Sequence, residues 1–317
     1  MSPLLDWGIE VILWCQRFSP ALDIPFRVLT WTGEAAFYIL LLPILYWFVD
    51  RSTAIRLTLL FLISAYLNAV AKAILGQPRP FTYDPRVLIL TSATGGGLPS
   101  GHAQNAVVLW GYLALRWRKR AFSVLAVALI VLVSFSRIYL GVHFPTDILG
   151  GWLVGILLLA AFCRYQERLV ALWGRLPLGI QIAGGFLLPA VFLALYSEPT
   201  GDALIAAAAL AGMASTLPLE RRWGHFRRSR SGWPIALSFL LGLTGIAILY
   251  IGPKSLLGDA ASLAGLRFLR YGARGAWVIL GAPWAMARLG LALLDAPFHA
   301  GDNKSSRNAH SSFKESR

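Results

Sequence analysis

The chain has 317 residues, 57% of them hydrophobic, and a mean hydropathy of +0.62, which excludes a soluble enzyme or scaffold and implies an integral membrane protein. Its formal net charge of +14 comes from short basic clusters between apolar runs, the distribution of topology signals, and this excludes a nucleic-acid partner. Two cysteines are too few for a disulfide framework.

Met1 to Glu10 lacks a basic start, so no cleaved signal peptide is expected. In residues 1–28, Leu4 to Phe18 sets apolar groups at helical spacing, with Trp7 and Trp14, over a run too short to cross a bilayer. A helix lying in the interface is predicted there. Residues 29–175 hold expected spans at Leu29–Val49, Ile55–Leu75, His102–Trp117, Ala121–Phe135 and Ile148–Cys163. Residues 176–300 add Leu178–Tyr196, Ala203–Leu219, Trp233–Ile251 and Ala273–Leu294. The expected fold is all-α, a polytopic transmembrane helical bundle of about nine spans. The run Lys254 to Arg270 is amphipathic and is predicted to be re-entrant or interfacial. Residues 301–317 are polar and Ser-rich apart from Phe313, and disorder is predicted for them. Cys15 and Cys163 fall near opposite ends of such a bundle and are expected to be free thiols.

Lysines and arginines collect on cytoplasmic loops, and here they alternate. Arg51 and Arg56 mark one loop, Arg116, Arg118, Lys119 and Arg120 the next, Arg164, Arg168 and Arg175 a third, and Arg221, Arg222, Arg227, Arg228 and Arg230 a fourth. The Ser197 to Asp202 turn is acidic, with Glu198 and Asp202. The opposite, extracytoplasmic side then carries the segments around Lys72, Pro99 and Ser136. The expected setting is a bacterial inner membrane with these segments facing the periplasm.

Those three segments hold the chemistry. Ser136 to Asp147 reads Ser-Arg-Ile-Tyr-Leu-Gly-Val-His-Phe-Pro-Thr-Asp, between two apolar runs. If a helix starts near Pro145, Asp147 lies within reach of His143, four residues earlier. A carboxylate that holds the Nδ1 proton leaves Nε2 basic, the arrangement used for acid–base or covalent catalysis. Arg137 adds a planar fork suited to phosphate oxygens. Lys72 stands near the end of an apolar helix, where an ammonium either snorkels or meets an anion, and Arg79 follows in the loop. Leu98-Pro99-Ser100-Gly101-His102 opens another helix, where the Ser100 hydroxyl and backbone N–H groups suit an anion.

Each residue also has a plainer role. Pro-Ser-Gly caps helices, an isolated membrane histidine bonds to a neighbouring helix, and His102, His143 and Asp147 are the elements of a metal site. Three cations and one carboxylate speak against a divalent metal, so no metal and no cofactor is expected. Glu34, Asn68, Gln104 and Asn105 are expected mainly to tie helices together, and His225, His299 and His310 to be solvated.

Together the blocks read Lys-x6-Arg-Pro, Pro-Ser-Gly-His and Ser-Arg-x5-His-x3-Asp. In this order they resemble the three signature motifs of the type 2 phosphatidic acid phosphatase and vanadium haloperoxidase superfamily, across Lys72 to Asp147. The resemblance implies a six-helix-type phosphatase core in which Lys72, Arg79 and Arg137 hold the phosphate together with Ser100 and Gly101. It further implies that His143, oriented by Asp147, attacks phosphorus to form a phosphohistidine, and that His102 protonates the leaving alcohol. Arg267-Phe268-Leu269-Arg270-Tyr271-Gly272, with Pro283 and Leu289-Gly290-Leu291, resembles the extra C-terminal spans of sphingosine 1-phosphate phosphatases in the same superfamily. The implied activity is hydrolysis of a lipid phosphate or diphosphate from the bilayer. The alternatives are a lipid phosphotransferase using the same site and, in a different class, a lipid transporter or flippase.

Overall fold

The structure, a computed structural model, describes residues 2–196, 201–223, 226–228 and 232–294. Ser197, Glu198, His225, Arg230, His299, His310 and the tail from Gly301 lie outside the described residues.

Helix α1 (Pro3–Gln16) is followed by α2 (Asp23–Trp31) and α3 (Ala35–Ile44), which runs on through a π turn at Leu45–Val49. Helix α4 (Arg51–Leu75) starts where Asp50 accepts the Thr53 amide at 3.1 Å, and it ends at Gly76, whose φ of +57° suits a residue without a Cβ. A short α5 (Pro80–Tyr83) leads into the loop before α6 (Gly101–Ala106). With a π turn at Val107–Gly111 and α7 (Tyr112–Trp117), α6 makes one rod over residues 101–117. Helices α8 (Arg120–Tyr139), α9 (Pro145–Arg175), α10 (Leu178–Leu195), α11 (Gly201–Trp223) and α12 (Trp233–Leu257) follow. A second rod over residues 264–288 joins α13 (Ala264–Ala276), a π turn at Trp277–Gly281 and α14 (Ala282–Arg288). Two three-residue strands, Phe226–Arg228 and Ala292–Leu294, pair antiparallel.

Among the described residues six helices are long and apolar enough to cross a membrane, and a seventh is formed if α2 and α3, bent by 47°, count as one span. The rods at 101–117 and 264–288, where the sequence reading placed two of its nine spans, are additional helices of the bundle. The first is short for a span, and the second carries Arg267, Arg270, Arg274 and Arg288. That second rod departs from the sequence reading, which broke the chain near Arg270 and started a span at Ala273. Gly258, at φ +52°, ends α12, and a 3-10 turn at Gly258–Ser262 leads straight into a continuous helix from Ala264.

Helix α1 behaves as its apolar spacing requires. It buries Ile9, Ile12 and Cys15 against Tyr139, Phe144 and Ile148, while Trp7 and Trp14 stay half exposed. The larger core joins the two halves of the chain, with Trp47, Leu57, Leu109 and Tyr112 from the first and Met213, Ile279 and Met286 from the second. Trp47 Nε1 donates to the Val278 carbonyl at 3.0 Å and Tyr46 Oη to the Ile279 carbonyl at 3.1 Å. Helices α11 and α13 run parallel and close: a Cβ added at Gly212 would overlap the Gly272 carbonyl, and one at Gly275 would press on the Ala209 backbone. Cys15 and Cys163 are both free thiols.

At one end of the bundle Arg51 pairs with Glu220, Arg56 with Glu167, and Arg116 with Asp50 at 3.4 Å. The C-terminal ends of α4 and α8 and the N-terminal ends of α6 and α9 meet at the other.

Candidate active site

Asp147 is the third residue of α9, and its position follows from how that helix begins. Pro145 supplies a preset φ at the first helical position, and the Asp147 side chain reaches back to accept the Phe144 amide at 3.0 Å, half of a capping box. The same oxygen, Oδ2, lies 3.0 Å from His143 Nδ1. The other, Oδ1, accepts from Gln77 Nε2 at 2.6 Å. All three groups are fixed, so the fully buried carboxylate has one orientation and holds His143 with Nε2 facing away from it.

Arg79 lies at that face. Its Nη1 is 3.3 Å from His143 Nε2 and donates to the Val142 carbonyl at 2.8 Å. Nε and Nη2 donate to the Gly95 carbonyl at 2.9 Å and the Thr94 carbonyl at 2.6 Å. The guanidinium is thus clamped by backbone and has no carboxylate partner among the described residues. Arg137, 3% exposed near the end of α8, donates from Nη1 to Thr30 Oγ1 at 2.6 Å, and its Nε has no bond. Lys72, in the last turn of α4, forms no ion pair among the described residues. None of the three cations forms an ion pair among the described residues, an arrangement that favours an anion between them.

His143 sits in the loop between α8 and α9. Burial, reinforced by Arg137, Lys72 and Arg79, holds its imidazole well below the ordinary histidine range, so it is neutral near pH 7.

Ser100 caps α6, its Oγ accepting the Ala103 amide at 3.5 Å, and its own amide donates to the Asp147 carbonyl at 2.9 Å, which ties the second motif to the third. Gly101 faces Asn68 Oδ1, so a Cβ there would collide with that amide. His102 projects toward the α2–α3 bend, with Nε2 3.3 Å from Glu34 Oε1, and a Cβ at Gly33 would clash with its Cδ2. Beneath, Asn68 Nδ2 donates to Gln104 Oε1 at 2.8 Å and to the Pro99 carbonyl at 3.2 Å, and Gln104 Nε2 donates to Ser64 Oγ at 2.8 Å. Ser64 Oγ bonds to Asn105 at 2.8 Å. This buried network fixes α4 against α6.

The residues singled out from the sequence thus meet at one end of the bundle. Sequence reasoning did not single out Gln77 or Thr30, and it gave Glu34 mainly a helix-tying role. Gln77 lies inside the Lys72 to Pro80 block, two residues before Arg79, and nothing in its type or spacing marks it. Among the described residues no group of three or more histidines, cysteines or carboxylates is arranged to hold a metal ion.

Comparison with known proteins places these residues in context. The chain is 32% identical over 178 residues to lipid phosphate phosphatase delta of Arabidopsis thaliana, a match covering 51% of this chain and 43% of that one. It is 34% identical over 151 residues to sphingosine-1-phosphate phosphatase 2 of Mus musculus, covering 45% and 40% respectively. Undecaprenyl-diphosphatase of Sulfolobus acidocaldarius is 37% identical over 107 residues, 33% of this chain and 51% of that one. The chain therefore spans about half the length, or less, of these three relatives. The crystal structure of Aquifex aeolicus LpxE aligns with 49% of this chain and 94% of its own at 26% identity and a TM-score of 0.46. Residues 53–171, which contain all three motif blocks, match the PAP2 superfamily, and residues 203–293 match the transmembrane extension of PAP2 superfamily phosphatases. The chain is a multi-pass membrane protein that belongs to the PAP2 superfamily, with a PAP2 domain followed by that extension.

Proposed function

We propose that the protein is a lipid phosphate phosphatase that works through a phosphohistidine and needs no metal ion. The observation that carries this reading is the buried His143, held at Nδ1 by Asp147 and facing the clamped Arg79 at Nε2. The names of the relatives point the same way, since they are phosphatases of lipid phosphates and of a diphosphate.

His143 Nε2 attacks phosphorus, and the bond to the lipid oxygen breaks as His102 transfers a proton to the departing alkoxide. A water then attacks the phosphohistidine, giving its proton to His102, and inorganic phosphate leaves with His143 neutral again. Lys72, Arg79, Arg137 and the Ser100–Gly101 turn hold the phosphoryl oxygens throughout and stabilise their charge in each transition state. Charge alternation supports a site on the extracytoplasmic face, the periplasmic side of a bacterial inner membrane.

Alkaline quenching after mixing with labelled lipid phosphate tests the assignment, because phosphohistidine is acid-labile. Label is expected on wild type and none on His143→Ala. With an activated aryl phosphate, whose leaving group needs no proton, His102→Ala is expected to recover part of its turnover and His143→Ala none. Label trapped on His143→Ala reverses the roles and overturns the mechanism.

A further inference from the structure

A cavity of about 210 Å³ lies between α3 and α4 of the first half and α11 and α13 of the extension. Ala35, Ile39, Leu42 and Phe61 line one wall, and Ile205 and Ala209 part of the other. Ala35 adjoins Glu34, whose carboxylate is 3.3 Å from His102 Nε2. In the proposed reaction His102 meets the departing lipid oxygen, so the lipid leaves from the side where this cavity begins.

Among the polar side chains in the lining, two carry buried atoms without a partner among the described residues. Tyr38, 3% exposed, has a hydroxyl with no hydrogen-bond partner. Arg274, 9% exposed, stacks on the rings of Tyr250 at 4.5 Å and Tyr271 at 4.3 Å, yet its Nε and Nη2 are unbonded. Ring stacking offsets the charge but leaves those N–H donors unsatisfied, which is costly inside a membrane protein. A bare hydrocarbon chain gives such donors nothing to bond. Tyr38 stands about one helical turn, roughly 6 Å, beyond Glu34, a reach comparable with that from a phosphate ester oxygen to the carbonyl of an acyl chain on the next carbons.

We infer that this groove, half of it built by the extension, receives the lipid chain of the substrate, and that Tyr38 and Arg274 select chains bearing an acyl carbonyl over bare polyprenyl chains. The inference rests on the phosphatase reading above. A methylene occupies about as much space as a water molecule, roughly 30 Å³, so the groove takes about seven chain groups before the chain passes into the bilayer.

The test is phosphate release from a series of acylglycerol phosphates of 4 to 16 carbons and their ether-linked counterparts, at fixed detergent, with about fourfold expected per methylene buried. In wild type, kcat/KM is expected to rise steeply over about the first seven chain groups and then flatten. Ile205→Trp and Ile39→Trp, which block the groove from opposite walls, are expected to lose at least tenfold on the longest chains and little on the shortest. Tyr38→Phe and Arg274→Gln are each expected to reduce the preference for ester over ether by about fivefold, the loss of one hydrogen bond. A wild-type profile with no plateau, or equal losses on short and long chains in both tryptophan variants, overturns the groove assignment. An unchanged ester preference in both polar variants overturns the selection. Phosphate release from a polyprenyl phosphate but from none of these lipids also overturns the selection, whereas release from neither class refutes the phosphatase reading itself, an outcome distinct from either.

Discussion

Asp147→Asn separates two contributions of the carboxylate, its charge and its control of the His143 tautomer. Asp147 accepts three hydrogen bonds, from His143 Nδ1 and the Phe144 amide at Oδ2 and from Gln77 at Oδ1. An asparagine has one oxygen and one NH2 to place in those positions. The Phe144 amide is a backbone donor and cannot turn, whereas the Gln77 side-chain amide can flip to present its oxygen. The new oxygen therefore takes the Oδ2 position, still facing Nδ1–H, and the reactive tautomer survives. What disappears is the charge facing an imidazole that becomes cationic as the phosphohistidine forms. At about 4 Å and an effective dielectric of about 20 that attraction is worth about 4 kcal/mol, and a retained neutral hydrogen bond returns about 1. The net loss of about 3 kcal/mol corresponds to a kcat reduced about 10²-fold. Turnover at saturating lipid phosphate in detergent, with 15N spectra of the His143 ring at pH 8, checks both parts. A loss near 10⁴, the size seen in serine hydrolases when the tautomer is wrong, or an Nε2-protonated ring, refutes the argument that Phe144 fixes the amide.

Gly33→Ala pushes a methyl group into the His102 ring, and kcat is expected to fall at least tenfold while thermal stability changes little; full activity would mean that His102 has no fixed position to lose. Because burial and neighbouring cations lower the His143 pKa, its imidazole should still be neutral at pH 6, where an ordinary histidine of pKa about 6.5 is mostly protonated. A His143 nitrogen signal that titrates near 6.5 in the folded protein contradicts this. Vanadate is expected to inhibit by filling the space between the cations, and EDTA to leave activity intact; loss on chelation with recovery on adding metal would restore the metal reading. A cysteine at Thr94, exposed in the loop whose backbone clamps Arg79, should react with an impermeant thiol reagent in intact cells, and one at Lys119 should not. The reverse pattern inverts the topology.

The apolar rods and their order are legible in the sequence because long apolar runs in a membrane protein admit one regular structure, the helix. The meeting of Lys72, Arg79, Ser100, His102, Arg137 and His143 is legible for a simpler reason, since each block lies at the same end of a span. Gln77 and Thr30 are not legible, because an uncharged polar residue in a loop looks alike whether it faces water or a carboxylate. Most of the run Lys254 to Arg270 is exposed, as an amphipathic reading expects, and its last arginine is the exception. Arg270, and Arg274 one turn beyond, turn inward to Tyr271 and Tyr250 and are more than nine-tenths buried, whereas an interfacial reading points them at headgroups. A moment records that a helix has two faces and says nothing of what covers the charged one.

The seam between α11 and α13 is made of Ala208, Ala209, Gly212, Gly272 and Gly275, residues with no rotamers to surrender when two helices meet. Joining them costs almost no side-chain entropy, and backbones that come this close gain dispersion along the whole contact. Such a joint forms between helices already inserted in the bilayer, without water to expel and without a polar lock to set. Helix α11 is apolar enough to enter the membrane on its own, whereas α13, with Arg267, Arg270 and Arg274, needs a neighbour to pack along. The wall they complete is assembled last, after the residues at the ends of α4, α6, α8 and α9 have left the ribosome.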